Sequence, residues 1–305
     1  MQIGYIGFGK MGLNMALRLK EKGHEVVGYN RSEEGREKAR KEALNVVDDL
    51  NVLVEKLQSP RLIWIMVSHQ GVDEVLGEIV SLLSAGDTII DGGNCFYKDT
   101  LRRAKEIKGK GVNFLDIGVS GGPSGARNGA CLMIGGEKEI AKKYIDLYKD
   151  LSAPDAWKIL GESGAGHFAK MVHNGIEYGM MQSIAEGFAV IKKSDFNFDV
   201  KNVADLYNHK SVIESRLIQW LYDGFDKFGP ELLEISGEVA ASGEGEWTVN
   251  TAKELKVSAP AIETSLYFRK MSKGNPSYIG KILSTMRTMF GGHDVGEKNN
   301  LNKII

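Results

Sequence analysis

Cysteine is nearly absent from this sequence: Cys95 and Cys131 are the only two among 305 residues. Two thiols cannot build a disulfide framework or a thiolate metal cage, which fits a reducing cytoplasm and leaves no metal centre expected. An excess of one charge is missing as well. The 39 Lys and Arg against 40 Asp and Glu leave a formal net charge of −1, so nothing draws the chain generally to nucleic acid or to an anionic membrane. The longest apolar run, "LIWIMV" at 62–67, is far short of a membrane span and is sized for a buried strand. The start, "MQIGYIGFGKMG", lacks a charged segment followed by a long apolar stretch, so no signal peptide is expected. No internal repeat and no low-complexity tract is visible.

What is present is a large apolar fraction, 42%, enough for a sizeable core in two domains. Up to about residue 160 the short apolar runs "IGYIG", "EVVGY", "LIWIMV", "DTIID" and "VNFLDI" alternate with helix-period stretches such as "GREKARKEAL" and "DTLRRAKEIKGK". That alternation predicts right-handed crossovers and a mostly parallel sheet covered on both faces. From Gly164 the strand signal fades into helix-period segments at 166–193, 211–224 and 275–289. The expected fold is therefore an α/β Rossmann-type dinucleotide-binding domain over 1–162, followed by an all-α helical domain over 163–305.

Gly7-Phe8-Gly9-Lys10-Met11-Gly12 follows the first apolar run directly and opens a helical pattern. The first glycine permits a tight turn, the second lets backbone approach a pyrophosphate, and the third lets helix and strand pack closely. "EVVGYN" ends a second strand about twenty residues on, where NAD-binding chains place an acid for the ribose hydroxyls. Here stand Asn30, Arg31 and Ser32. A carboxylate would repel a 2′-phosphate, whereas these three offer donors and a fixed positive charge, so NADP is favoured and NAD is the alternative.

Two further stretches fall at strand C-terminal ends, where open α/β sheets bind ligands: "DGGN" at 91–94 and the glycine-rich loop "VSGGPSGARNG" at 119–129. Asn94 and Ser120 add polar groups to exposed amides. The helix-forming stretch "GAGHFAKMVHNGIEYGMMQ" at 164–182 carries Lys170, His173, Asn174, Glu177 and Tyr178 at steps of three and four. At about 100° per residue they share a sector of roughly 140°, while Phe168, Val172, Ile176 and Met180 make the other side apolar, where the helix would pack. Gly164, Gly166, Gly175 and Gly179 leave room for close approach.

Together, "GFGKMGLN", "NRS", "DGGN", "VSGG", "GAGHFAKMVHNGIEYG" and the late "FGGH" resemble the decarboxylating 6-phosphogluconate dehydrogenases, in order along nearly the whole chain. The helical half is that of a short form, without a second helical repeat. The resemblance implies oxidation of 6-phosphogluconate to ribulose 5-phosphate and CO2 with reduction of NAD(P), without a metal. It makes Lys170 the general base and Glu177 the general acid. It puts Asn94, Ser120, Gly121, Gly122, His173, Asn174 and Tyr178 on substrate positions, with Val67 and Asn94 beside the cofactor. Arg269 matches a phosphate-binding arginine, and Arg287 and His293 match residues that reach the substrate from a second subunit, so a homodimer or homotetramer with shared active sites is expected. Ser242 and Glu246 depart from the pattern, standing where long forms carry a phosphate-binding lysine and another basic residue.

The chemistry asks for these residue types. Oxidising a secondary alcohol needs a base beside the carbinol, and a lysine serves only when neutral, as burial and a nearby positive charge favour. The 3-keto acid then loses CO2, and a carboxylic acid such as Glu177 protonates the enediol. Two rival readings stay open on the sequence: a 3-hydroxyacid dehydrogenase acting on a small acid such as 3-hydroxyisobutyrate, and a catalytically silent NAD(P) sensor, against which Lys170 and Glu177 argue.

Overall fold

The computed structural model describes residues 1–240 and 243–292. The chain divides into two compact units, Met1–Met171 and Val172–Ile305. The first is built on strands β1 (Gln2–Ile6), β2 (Glu25–Tyr29), β3 (Asn45–Val46), β4 (Leu62–Ile65), β5 (Thr88–Asp91), β6 (Asn113–Ser120), β7 (Ala130–Gly136) and β8 (Ser152–Gly161). Its helices are α1 (Lys10–Glu21), α2 (Glu33–Lys41), α3 (Leu50–Glu55), α4 (His69–Ile79), α5 (Tyr97–Lys108), α6 (Gly122–Asn128), α7 (Lys138–Ala141) and α8 (Ile145–Leu151). The strands form one sheet in the order β3-β2-β1-β4-β5-β6-β7-β8, parallel throughout except for the antiparallel β6–β7 pair.

Alternation along the strands feeds two cores. Leu62 and Trp64 of β4 join Ile3, Tyr5, Met15 and Leu19 on one face, and Ile63 and Ile65 join Ile6, Val72, Ile79 and Ile89 on the other. Both faces are thus buried, which is why β4 reads as a continuous apolar run rather than as an alternating one. The expected α/β architecture is observed, with two differences. The strands β7 and β8 are not among the expected runs: β7 holds the readable run "ACLMI", whereas β8 is a sheet edge whose residues are mostly half-buried or exposed. The stretch expected as a glycine-rich loop at 119–129 contains the end of β6 and the short helix α6, started by Gly121 at φ +127° with Pro123 in the first turn.

Helix α9 (Ala165–Lys193) begins in the first unit, and from Val172 onward it belongs to the second. There it is joined by α10 (Val200–Tyr207), α11 (Arg216–Phe228), α12 (Glu244–Glu254), α13 (Pro260–Ser272) and α14 (Tyr278–Gly291). Asp199, Ser215 and Ser277 cap α10, α11 and α14 by accepting from backbone amides of the first turn. Met181, Ala185, Phe188, Leu221, Phe225 and Leu283 fill the core. The helical half expected from residue 163 onward is therefore present among the described residues, which contain no helix long and apolar enough to cross a membrane.

The face that α9 buries is not the one its apolar pattern suggested. Met171, Gly175, Tyr178, Met181, Gln182, Ala185 and Phe188 are buried, whereas Ile176, Met180 and Val190 are exposed. Close approach decides this: a Cβ on Gly175 would lie 2.5 Å from the Thr248 side chain and one on Gly245 2.5 Å from the Tyr178 ring. The flank that lacks bulk, not the flank richest in Ile and Met, meets α12.

Candidate active site

The turn from β1 into α1 is shaped by its glycines. Gly7 has φ +107°, and a Cβ there would lie 2.4 Å from the Met66 carbonyl oxygen and 2.9 Å from the Val67 side chain. At Gly12 a Cβ would meet the Gly7 carbonyl oxygen at 2.1 Å, so helix and strand touch through backbone. Gly9 differs: a Cβ there meets nothing within 4 Å, so no protein atom requires a glycine. No side chain caps α1 and no acid lies in its first turn, which leaves the amide end of the helix dipole suited to an anion. The open space over Gly9 and this helix start fit a dinucleotide pyrophosphate, with Phe8, Lys10 and Met11 completing the turn.

At the end of β2 the expected trio divides its work. The Asn30 Oδ1 accepts from the Phe8 amide at 2.8 Å, and its Nδ2 donates to the Ser32 hydroxyl at 3.0 Å. The Ser32 hydroxyl also accepts from the Gly35 amide as the cap of α2. The Asn30 amide therefore clamps the turn through both its oxygen and its nitrogen. Arg36 braces the same turn by donating to the carbonyls of Asn30 and Arg31. Arg31 itself is largely exposed, with Nη1 2.9 Å from Glu74 Oε2.

Lys170 is seated by β6. A Cβ on Gly118 would lie 2.4 Å from the Lys170 Cβ and 2.9 Å from the Gly166 carbonyl oxygen, so the lysine stem rests directly on strand backbone two residues before Ser120. The start of α9 is held as closely. Asp116, fully buried, accepts from the amides of Gly164 at 2.7 Å and His167 at 2.8 Å. It is an N-cap supplied by a neighbouring strand, where buried charge and helix dipole compensate. Sequence reasoning missed Asp116, although an acid inside the apolar run "VNFLDI" was a readable signal, since such runs are buried on both faces.

Asp91, Cys95 and His167 are buried with donor atoms within 4.8 Å of one another. Arg103 closes the group: its Nη1 is 3.6 Å from Asp91 Oδ2, and it binds Asp73 through Nε and Nη2 at 2.9 and 3.0 Å. The guanidinium supplies the positive charge that a buried Asp91 needs, and it holds Asp73 at about 2. Burial pushes the Cys95 thiol far up, away from the thiolate form. His167 Nδ1 is 2.7 Å from the Thr100 hydroxyl, so the group fastens α9 to α5 and β5. The exposed Asn94 stands in the turn that this group anchors.

In the second unit, His173 Nδ1 lies 3.1 Å from Asn174 Oδ1 and 3.9 Å from Glu177 Oε2. Tyr178 is buried, with its hydroxyl lacking a hydrogen-bond partner. The Arg269 guanidinium lies over its ring at 3.4 Å from the centroid. Arg269 and Arg287 are 3% and 8% exposed, and neither has a carboxylate in ion-pair contact among the described residues. Burial brings Arg269 down to about 10, with Arg287 adding to the fall, and burial also lowers Arg287. Arg287 lies within electrostatic reach of Tyr178, Glu244 and Glu177 of its own unit. Glu246 pairs with Lys270 at 2.8 Å, on the exposed side. Ser242 and His293 lie outside the described residues.

A glycine turn suited to a dinucleotide and a lysine seated on the sheet of the same unit, followed by a helical unit carrying an acid and buried arginines, fit a nicotinamide-dependent oxidoreductase. The profile of the "NAD binding domain of 6-phosphogluconate dehydrogenase" matches residues 2–161, and that of the "6-phosphogluconate dehydrogenase, C-terminal domain" matches 166–300. The chain belongs to the 6-phosphogluconate dehydrogenase family, and it is an NAD(P)-dependent enzyme of that family. It is 42% identical to YqeC of Bacillus subtilis (strain 168) over 98% of this chain and 100% of the relative. It is 34% identical to the NAD(+)-dependent, decarboxylating 6-phosphogluconate dehydrogenase of Haloferax volcanii, over 98% and 100%. The Plasmodium falciparum 6-phosphogluconate dehydrogenase, solved with NADP+ and with 6-phosphogluconate, superposes with a TM-score of 0.80 at 31% identity, over 98% of this chain and 67% of that one. A Mycobacterium tuberculosis 3-hydroxyisobutyrate dehydrogenase shares the fold, with a TM-score of 0.72 at 18% identity over 94% and 99%.

Proposed function

We propose that this chain oxidises 6-phospho-D-gluconate to D-ribulose 5-phosphate and CO2, with NADP reduced in preference to NAD. The observation that carries the substrate class is the pair of buried guanidiniums, Arg269 and Arg287, neither in ion-pair contact with a carboxylate of the described residues. Buried charges are ordinarily paired, and a phosphate dianion would supply the pairing. A small unphosphorylated 3-hydroxyacid brings a single carboxylate and no phosphate, too little charge for two buried arginines, so the 3-hydroxyisobutyrate reading is the weaker one.

Residues 1–162 would hold the cofactor through Gly7–Gly12, Val67 and the Asn30–Ser32 turn, and the nicotinamide, when bound, supplies the hydride acceptor. In its neutral form Lys170 takes the proton of the C3 hydroxyl as the C3 hydrogen leaves as hydride. The 3-keto acid breaks its C1–C2 bond, CO2 departs, and the electron pair passes to the C3 oxygen, where the protonated Lys170 stabilises the enolate. Glu177 then donates a proton to the carbon that lost CO2, giving the ketone. Lys170 and Glu177 lie seven residues apart on one continuous helix, about 10.5 Å along its axis, so their long side chains would converge on the neighbouring C3 oxygen and C2 carbon. Asn94, Ser120, Gly121, Gly122, His173 and Asn174 would hold its hydroxyl and carboxylate oxygens. Residues 163–305 would form a cytoplasmic homodimer or homotetramer, a reading supported by Ile176, Met180 and Val190, which fall within about 80° on α9 and are exposed in the single chain.

The test offers 6-phosphogluconate and 3-hydroxyisobutyrate with each cofactor and follows reduced-cofactor absorbance and CO2 release together. Turnover with CO2 from the first only is expected, lost in Lys170→Met and reduced about 10²- to 10⁴-fold in Glu177→Gln. Wild-type kcat in Glu177→Gln across the pH range would remove the acid role, and turnover of 3-hydroxyisobutyrate alone would overturn the substrate.

A further inference from the structure

Arg31 does not wait in isolation for a 2′-phosphate. Its Nη1 donates to the Glu74 carboxylate at 2.9 Å, with 80% and 54% of the two side chains exposed. The backbone that presents Arg31 is clamped by Asn30, Ser32 and Arg36, so the turn is rigid while the guanidinium lies in solvent. Glu74 comes from α4, which starts just after β4, and it differs from the acid beside it. Asp73 is bound by Arg102 and Arg103, whereas Glu74 points its carboxylate at the one residue of the turn that carries cofactor-reading charge. Arg36 and Arg40 are engaged by Glu33 and Asp48.

We propose that Glu74 is a specificity-determining residue, which lowers the preference for NADP over NAD by competing with the 2′-phosphate for Arg31. The inference rests on the reading that Arg31 meets the adenosine ribose. A phosphate bound to Arg31 stands roughly 6 Å from a carboxylate bound to the same guanidinium, and two anions at that separation in a water-like medium repel enough to cost a few-fold in affinity. The 2′-hydroxyl of NAD carries no charge and meets no such repulsion; the carboxylate can accept from it. An exposed ion pair of this kind adds little to folding, so its effect falls on the ligand.

The experiment titrates the wild-type protein, Glu74→Gln and Arg31→Ala with NADP and NAD separately and takes the ratio of the two Kd values. Direct titration needs no substrate, so an error in the substrate assignment leaves the result standing, and a ratio from one preparation cancels any loss of folded protein. Glu74→Gln should raise the NADP preference about three- to tenfold at low ionic strength, and the gain should shrink in 0.5 M salt as screening sets in. Arg31→Ala should lower the preference. A ratio within twofold of wild type in Glu74→Gln, with Arg31→Ala still lowering it, overturns the role of Glu74 and leaves Arg31 intact. An unchanged ratio in Arg31→Ala overturns the Arg31 reading and this inference with it.

Discussion

Gly118→Ala tests how Lys170 is placed. The added methyl would lie 2.4 Å from the Lys170 Cβ, 1.0 Å short of the 3.4 Å at which ordinary contact begins, and 2.9 Å from the Gly166 carbonyl oxygen. Neither neighbour is a flexible side-chain end. One is the root of the lysine and the other is backbone in the first turn of α9, itself tied to Asp116. The helix start must therefore move by about 1 Å from β6, and a displacement of that size at a reacting group typically costs about 10²-fold. Overpacking of a buried site costs about 1–3 kcal/mol of stability, which a domain of ordinary stability survives. The assay is kcat for 6-phosphogluconate oxidation at saturating cofactor, with Tm and NADP titration on the same preparation. A folded variant that binds NADP and retains kcat within threefold of wild type would refute the claim that strand backbone positions Lys170.

Asp116→Asn loses the charge that caps α9 but keeps one acceptor, so kcat should fall about tenfold with a milder loss of Tm, and Asp116→Ala should do worse on both; equal effects of the two would mean the carboxylate is a packing group. Arg269→Met should raise KM for 6-phosphogluconate at least 10²-fold while Tm of the ligand-free protein stays level or rises, because a buried unpaired charge is removed; a sharp drop in Tm would show the guanidinium to be a structural element. The sign follows from its fall to about 10: the folding cost of holding Arg269 charged is complete below that pH and is relieved as pH rises from about 10 towards 12.5. Because Arg287 lies within electrostatic reach of Tyr178 and Glu177 of its own unit, mixing Lys170→Met with Arg287→Ala under subunit exchange should leave the mixture inactive, and recovery of activity would place Arg287 in trans. Gly77→Ala, whose Cβ meets nothing within 4 Å inside α4, should stabilise by about 0.5–1 kcal/mol without touching kcat; a lower Tm would contradict the open space around it.

The sequence by itself determined the alternation of strands and helices, the helical half, the glycine turn and the helix bearing Lys170, His173, Asn174, Glu177 and Tyr178. These are local properties, set by periodicity and by glycines whose φ or close contacts no other residue tolerates. Tertiary structure decided what depends on neighbours far along the chain. Apolar content alone pointed to the Ile176 and Met180 flank of α9, yet packing chose the opposite one, because a helix approaches closest where Gly175 leaves no side chain. Asn30 read as a free donor, yet its Nδ2 donates to Ser32, in a rotamer fixed by the Phe8 amide, 22 residues away, which donates to its oxygen. Asp116 caps a helix that starts 49 residues later, and Glu74 meets Arg31 across 43. Arg269 and Arg287 are ordinary helix residues in the sequence; only the fold buries both, with no carboxylate of the described residues in ion-pair contact, and a buried charge without such a contact is what makes two common side chains suited to an anion.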